Sequence, residues 1–118
     1  MSRRLDDLDA RFRPVVFELL ARLTEQGCYV VIVDTLRTPE EQARHLAKGV
    51  SWTPHSRHLD GLAIDLCLLD SYVAGRSKLR WDAAAPGWAV LGATGERLGL
   101  RWGGRWKHRD LGHLEWQP

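Results

Sequence analysis

Two short segments of the chain combine residue types that bind metal ions. The first contains His58 and Asp65, and the second contains Asp110 and His113. Two imidazoles and one carboxylate can hold a zinc ion and leave one coordination position for water, whereas structural zinc sites are closed by four protein ligands. His58, Asp65 and His113 are therefore candidate ligands of a catalytic zinc, and Asp110 is a carboxylate that could accept a proton from the bound water.

Asp65 occupies an unusual position for an acidic residue. It lies within the apolar run 62–69, which predicts a buried strand. A buried carboxylate must be paired, hydrogen-bonded or bound to a metal, so a salt bridge to an arginine is the alternative explanation. A single histidine such as His113 is more often a structural residue than a ligand. The combination of three ligand-type residues with an acid at a fixed offset favours the metal site.

Arg37 and Ser56 are candidates for roles beside the metal. Arg37 directly follows a predicted strand and could stabilise a developing oxyanion. Its alternative role is a surface ion pair with Glu40 or Glu41. Ser56 could orient a ligand or bind substrate, or it could simply cap a turn.

Glu115 is a rival to Asp110 as the proton acceptor. Alternation along a strand places Glu115 on the same face as His113, two residues away. Three further residues are rival metal ligands of lower rank: His55, His108 and Cys67.

Hydrophobic periodicity predicts the elements that must position these residues. The predicted helices cover residues 5–26, 39–49 and 86–98, and the predicted strands cover residues 29–33, 62–69 and 113–116. Thr38 and Glu41 have the spacing of a capping box at the start of the second helix. Pro14 either kinks the first helix or marks where its regular part begins. Residues 70–78 are predicted to form a turn or a further strand.

Length and composition indicate one globular domain that spans residues 1–118. The chain has 44% hydrophobic residues and a net charge of +2, which is too small to argue for a nucleic-acid partner. We interpret the basic residues between 97 and 109 as a solvated face. The chain shows no secretory signal and no membrane-inserting run, so we expect synthesis in the cytoplasm. We also expect a monomer, since nothing in the sequence suggests a larger assembly. Cys28 and Cys67 are expected to be reduced and buried.

The six tryptophans divide into two groups by expected position. Trp81, Trp88 and Trp102 are expected in the core. Trp52, Trp106 and Trp116 either line a cleft or serve as buried anchors.

In several motifs the chain resembles the M15 family of zinc D,L- and D,D-peptidases. The segment Ser56-x-His58-x-x-Gly61-x-Ala63-x-Asp65 is similar to the first metal motif of that family, and Asp110-x-x-His113 is similar to the second. The segment from Arg37 to Gln42 resembles the family's arginine and glutamine segment. The glycine–tryptophan segment 99–106 resembles the one before the second motif, but Arg105 replaces the acidic residue expected in many relatives.

The resemblance implies an α+β fold in which helices flank a small central antiparallel sheet that carries a zinc site. It implies His58, Asp65 and His113 as ligands and Asp110 as the catalytic base. We further expect Arg37 to act as a catalytic residue, and we expect substrate contacts from three residues: Ser56, Gln42 and Trp106.

The implied reaction is hydrolysis of bacterial peptidoglycan. The compact form most resembles phage endolysins that cut the L-alanyl-D-glutamate bond of stem peptides and reach the cell wall after release from the cytoplasm. A D-alanyl-D-alanine carboxypeptidase or dipeptidase, or a non-catalytic module that binds zinc or cell wall, is the alternative.

Overall fold

An antiparallel sheet of five strands forms the centre of the computed structural model, which describes residues 2–49, 51, 53, 56–70 and 79–118. The strands are β1 (Val30–Asp34), β2 (Ala63–Leu69), β3 (Leu79–Arg80), β4 (Arg101–Trp102) and β5 (His113–Glu115). Their order is β1-β2-β5-β4, and β3 pairs with β2. β2 is the central strand because it pairs with three others, and its pairing with β5 sets Asp65 directly opposite His113.

Three α-helices accompany the sheet: α1 (Arg13–Glu25), α2 (Pro39–Ala47) and α3 (Gly87–Arg97). The predicted capping box of α2 is confirmed, since the Thr38 hydroxyl accepts from the Glu41 amide and the Glu41 carboxylate accepts from the Thr38 amide. Helices α1 and α3 pack against each other, and both contribute side chains to the apolar core that they share with β2. The α+β fold with a small antiparallel sheet and flanking helices is therefore confirmed.

The first helix is shorter than its periodicity predicts. Residues Leu5–Asp7 form a separate 3-10 turn, and α1 begins only at Arg13 with Pro14 in its first turn. Pro14 thus marks the start of the regular helix. The break occurs because the Asp9 amide donates to the carbonyl of Gly61 at 3.0 Å, which ties the entry segment to the turn before β2 instead of to its own helix.

The apolar core lies between the sheet and the helices α1 and α3. Its largest fully buried side chains include Phe12, Leu19, Leu66 and Leu114. Trp88 is buried as expected, but the expectation for Trp81 is wrong, since 59% of its surface is exposed and its ring stacks on Trp88 from outside.

Cys28 and Cys67 are buried free thiols, as predicted. Trp52, His55 and the predicted turn or strand at 71–78 lie outside the described residues. No helix in the described part of the chain is long and apolar enough to cross a membrane.

Candidate metal centre

His58, Asp65 and His113 converge at one point of the molecule. One nitrogen or oxygen atom from each lies within 4.8 Å of the others, close enough to gather around a single ion. Asp65 comes from the centre of β2, His113 from the start of β5, and His58 from a 3-10 turn at Arg57–Asp60. Both histidines are buried, and the Asp65 side chain is only 21% exposed.

The surroundings of His58 fit a cation. Its Nδ1 lies 2.7 Å from the carbonyl oxygen of Thr35, and a carbonyl can only accept, so Nδ1 carries the proton. In the neutral ring Nε2 then presents a lone pair to the Asp65 Oδ2, 3.1 Å away. Among the described residues this buried Nε2 has no hydrogen-bond partner. Two acceptors facing each other repel, and a metal ion between them would remove the conflict.

His113 lies between two carboxylates. Its Nδ1 is 2.9 Å from Asp65 Oδ1, and its Nε2 is 2.8 Å from Glu115 Oε1. Burial disfavours the charged ring, but the hydrogen bonds to Asp65 and Glu115 outweigh burial and raise the pKa of His113 to about 10. The hydrogen bond from His113 also holds the pKa of Asp65 well below its usual range, against the effect of burial. Without a metal, the pair is an imidazolium and a carboxylate.

Arg37 is held beside this cluster in a buried network. Its Nε and Nη2 both donate to Asp34 Oδ2, and Nη1 donates to Gln42 Oε1 at 2.6 Å. Nη2 also lies 3.7 Å from Asp65 Oδ2. Arg37 is only 7% exposed, so its position differs from the alternative of a surface ion pair with Glu40 or Glu41.

Gln42 is 1% exposed, and both the oxygen and the nitrogen of its side-chain amide form hydrogen bonds inside the protein. Besides accepting from Arg37, its Nε2 donates to the Ser51 hydroxyl and to the Thr53 carbonyl. The side chain is therefore placed to hold Arg37.

Asp110 lies in the loop between β4 and β5, three residues before His113. Its amide donates to the carbonyl of Gly103, and a Cβ at Gly103 would overlap the Asp110 carbonyl. Among the described residues the Asp110 carboxylate has no hydrogen-bond partner. Desolvation and the neighbouring Asp65 charge raise its pKa, which suits a group that must take up a proton.

The cluster opens into a cleft of about 820 Å³. Ser56, Trp106, Asp110, Glu115 and Arg37 all line it, as does the exposed Trp81. The Trp106 ring is 38% exposed and lies 4.9 Å from the His113 ring. Ser56 also caps the 3-10 turn, because its hydroxyl accepts from the His58 amide.

The sequence did not predict that three further residues, Asp34, Thr35 and Trp81, would lie at the site. Asp34 orients Arg37, and the carbonyl of Thr35 orients His58. The sequence did contain a signal for Asp34, because it is an acidic residue at the end of an otherwise apolar strand. Trp81 had no such signal, since exposure of a tryptophan depends on packing between distant segments. Of the rival ligands, His108 lines the cleft, while Cys67 is buried in β2; neither belongs to the three-residue cluster.

Trp116 lies apart from these cleft residues. Its ring stacks on Phe12, with centroids 5.9 Å apart, so it anchors the end of the chain to the core.

Known proteins that resemble this chain in sequence or in fold are peptidases. A family of M15 peptidases described as D-alanyl-D-alanine carboxypeptidase matches residues 49–116, which include all three candidate metal ligands and Asp110. An L-alanyl-D-glutamate peptidase of Listeria phage A118 is 33% identical over 99 residues, or 83% of this chain. The chain spans only 34% of the length of that phage protein.

Two solved structures share the fold. The L-Ala D-Glu endopeptidase ChiX of Serratia marcescens superposes with a TM-score of 0.70 at 25% identity, covering 96% of this chain and 83% of ChiX. The vancomycin-resistance D,D-pentapeptidase VanY, solved with Zn(II), gives a TM-score of 0.60 at 18% identity, covering 92% of this chain and 72% of VanY. Because the family pattern spans more than half of the chain and includes the His–Asp–His cluster, the chain belongs to the M15 peptidase family.

Proposed function

We propose that the chain is a zinc-dependent endopeptidase that hydrolyses the L-alanyl-D-glutamate bond of peptidoglycan stem peptides. The observation that carries the proposal is the convergence of His58, Asp65 and His113, with the buried lone pair of His58 Nε2 facing a carboxylate. The substrate is suggested by two relatives, the phage peptidase and ChiX, whose names specify that bond.

Zinc is the ion that best suits this donor set. Two imidazoles and one carboxylate form a three-ligand set of the kind found in catalytic zinc proteins, and VanY was solved with Zn(II). When bound, zinc would polarise the scissile carbonyl and lower the pKa of a water molecule. His58, Asp65 and His113 would be its ligands.

Asp110 is assigned the proton transfers. Its carboxylate lines the cleft without a hydrogen-bond partner among the described residues, and its raised pKa favours proton uptake. It would take the proton of the attacking water and deliver it to the leaving amine.

Arg37 is assigned the stabilisation of the negative charge that develops on the carbonyl oxygen. Its guanidinium is fixed by Asp34 and Gln42 before substrate arrives, so little reorganisation is needed. We propose that Gln42 acts through Arg37, while Ser56 and Trp106 contact the substrate from the walls of the cleft.

The biological setting we propose is that of a phage endolysin. The protein would be made in the cytoplasm, act as a monomer on peptidoglycan after release, and use neither nucleic acid nor membrane insertion. The phage origin of the L-alanyl-D-glutamate peptidase supports this setting.

A second candidate is D-alanyl-D-alanine carboxypeptidase activity on the same scaffold. The description of the matched family favours it, and the same metal cluster could serve either reaction. A non-catalytic module that binds zinc or cell wall is the third candidate, and Asp110 separates it from the other two, because a binding module needs no proton acceptor.

The decisive experiment is mass spectrometry of stem peptides incubated with the zinc-loaded protein. We expect cleavage between L-alanine and D-glutamate, loss of activity with a chelator, and recovery with zinc. Release of terminal D-alanine alone would replace the proposal with the second candidate.

Two variants test the assigned roles in the same assay. Asp110→Asn is expected to keep zinc and lose activity by at least about 100-fold. His58→Ala is expected to lose zinc and activity together. An Asp110→Asn protein that cleaves normally would remove Asp110 from the mechanism.

A further inference from the structure

Glu115 has a geometric relation to His113 that the proposed reaction does not use. The two residues are separated by one position on β5, and both side chains are largely buried, at 13% and 5% exposed. Glu115 Oε1 lies 2.8 Å from His113 Nε2, on the opposite edge of the ring from Asp65. One carboxylate oxygen of Glu115 is therefore already engaged by the histidine.

The Glu115 carboxylate is itself held in place from the other side. Arg57 Nε lies 3.9 Å from Glu115 Oε2, and Arg101 stands opposite Glu115 in the pairing of β4 with β5. These contacts keep the side chain oriented toward His113.

His58 has an equivalent arrangement with a different partner. Its Nδ1 faces the Thr35 carbonyl, so its Nε2 is left for the metal side. In His113 the roles of the two nitrogens are exchanged, because Nε2 faces Glu115 and Nδ1 faces the cluster. One hydrogen-bond acceptor outside the cluster therefore fixes the orientation of each imidazole ring.

We propose that Glu115 is a positioning residue that fixes the tautomer and orientation of His113. The Glu115 carboxylate would accept a hydrogen bond from the Nε2–H of His113, which would leave the Nδ1 lone pair free to bind the metal. The proposal rests on the proposed zinc function and assigns Glu115 a role distinct from proton acceptor. Outer carboxylates of this kind typically contribute about 10–100-fold to metal affinity or activity.

Zinc affinity without substrate is the primary test, measured by competition with a chromophoric chelator. Glu115→Ala is expected to weaken zinc binding about 10–100-fold. Glu115→Gln keeps an acceptor oxygen and is expected to stay within a few-fold of the parent protein. Glu96→Ala, which removes an exposed carboxylate paired with Arg105 on the outside of α3, is the matched control and should bind zinc normally.

A spectroscopic signature makes the test independent of catalysis. In proton–nitrogen spectra of the zinc-loaded protein, the His113 Nε2 proton should be protected from exchange in the parent and in Glu115→Gln. It should broaden or disappear in Glu115→Ala. Circular dichroism confirms that each variant is folded, and Glu115→Gln keeps the test valid if Glu115→Ala does not fold.

The outcomes separate the positioning role from its rivals. Unchanged zinc affinity in Glu115→Ala, or an equal loss in both variants, would overturn the proposal. A Glu115→Gln protein that binds zinc normally but loses activity at least 100-fold would instead make Glu115 the proton acceptor. A different result is that neither the parent protein nor any variant cleaves the peptide, while the zinc affinities still follow the expected order. In that case the positioning role stands and the proposed function fails.

Discussion

At the residue scale, the chemistry of the site depends on how two imidazole rings are oriented. The residue types and their spacing predict His58, Asp65 and His113 as metal ligands. The strongest signal is Asp65, an acidic residue within an apolar strand that lies between the two histidines in the sequence. The acceptors that orient the rings could not be predicted in the same way. The Thr35 carbonyl belongs to the backbone, and the geometry of Glu115 depends on the pairing of β5 with its neighbours.

The protonation of His113 predicts a pH dependence of stability in the metal-free protein. The ordinary pKa of histidine is 6.5, and in the folded state it is raised to about 10, so folding favours the protonated ring. This contribution is complete below pH 6.5, declines as the pH rises, and is lost above about 10. Asp65 has a lowered pKa, so the same interaction is lost in acid as its carboxylate is protonated.

The free energy of unfolding in urea, measured across pH in the presence of a chelator, tests this prediction. We expect a maximum in the mildly acidic range and a steady loss between pH 6.5 and 10. The variant His113→Gln should show a flatter alkaline limb. A parent protein with constant stability from pH 6 to 10 would contradict the assigned protonation.

At the element scale, glycines allow the loops that carry the site to approach the sheet. A Cβ at Gly103 would overlap the carbonyl of Asp110 and lie 3.1 Å from the Cβ of His113. Gly103→Ala is therefore expected to displace Asp110, reduce activity more than zinc binding, and destabilise the fold by about 1–3 kcal/mol.

Urea unfolding and peptide cleavage, measured on the same preparations, test the role of Gly103. Ala89→Ser, at an exposed position of α3, is a suitable control and should change stability by less than about 0.5 kcal/mol. Normal cleavage by Gly103→Ala would show that the loop tolerates the shift.

Local signals predicted most elements, and tertiary contacts account for the exceptions. The capping box at Thr38 and the apolar run of β2 depend on neighbouring residues and were predictable. The 5–26 helix was predicted too long, because the contact between Asp9 and Gly61 joins positions far apart in sequence. The exposure of Trp81 was unpredictable for the same reason.

At the scale of the whole molecule, the His–Asp–His cluster joins segments that are distant in the chain. His58 and His113 lie 55 positions apart by their numbers, and Asp65 connects them through the central strand. An ion held by all three would bind the folded state alone, so it should stabilise the fold as a whole. At a free zinc concentration a thousand times the dissociation constant, the gain is about 4.1 kcal/mol.

Thermal unfolding with zinc and with a chelator measures this stabilisation. We expect the zinc-loaded protein to melt about 10–20 °C higher than the metal-free protein. The variant His113→Ala should melt at the same temperature in both conditions. Equal melting temperatures for the parent protein would argue against a site built from the three segments.

The two acceptors outside the cluster differ in kind, and this difference has an evolutionary consequence. The acceptor for His58 is a main-chain oxygen, which every amino acid at position 35 would supply. The acceptor for His113 is a side chain, which a single codon change can remove. Selection can therefore adjust the strength of metal retention through position 115, while the orientation of His58 is protected from point mutation.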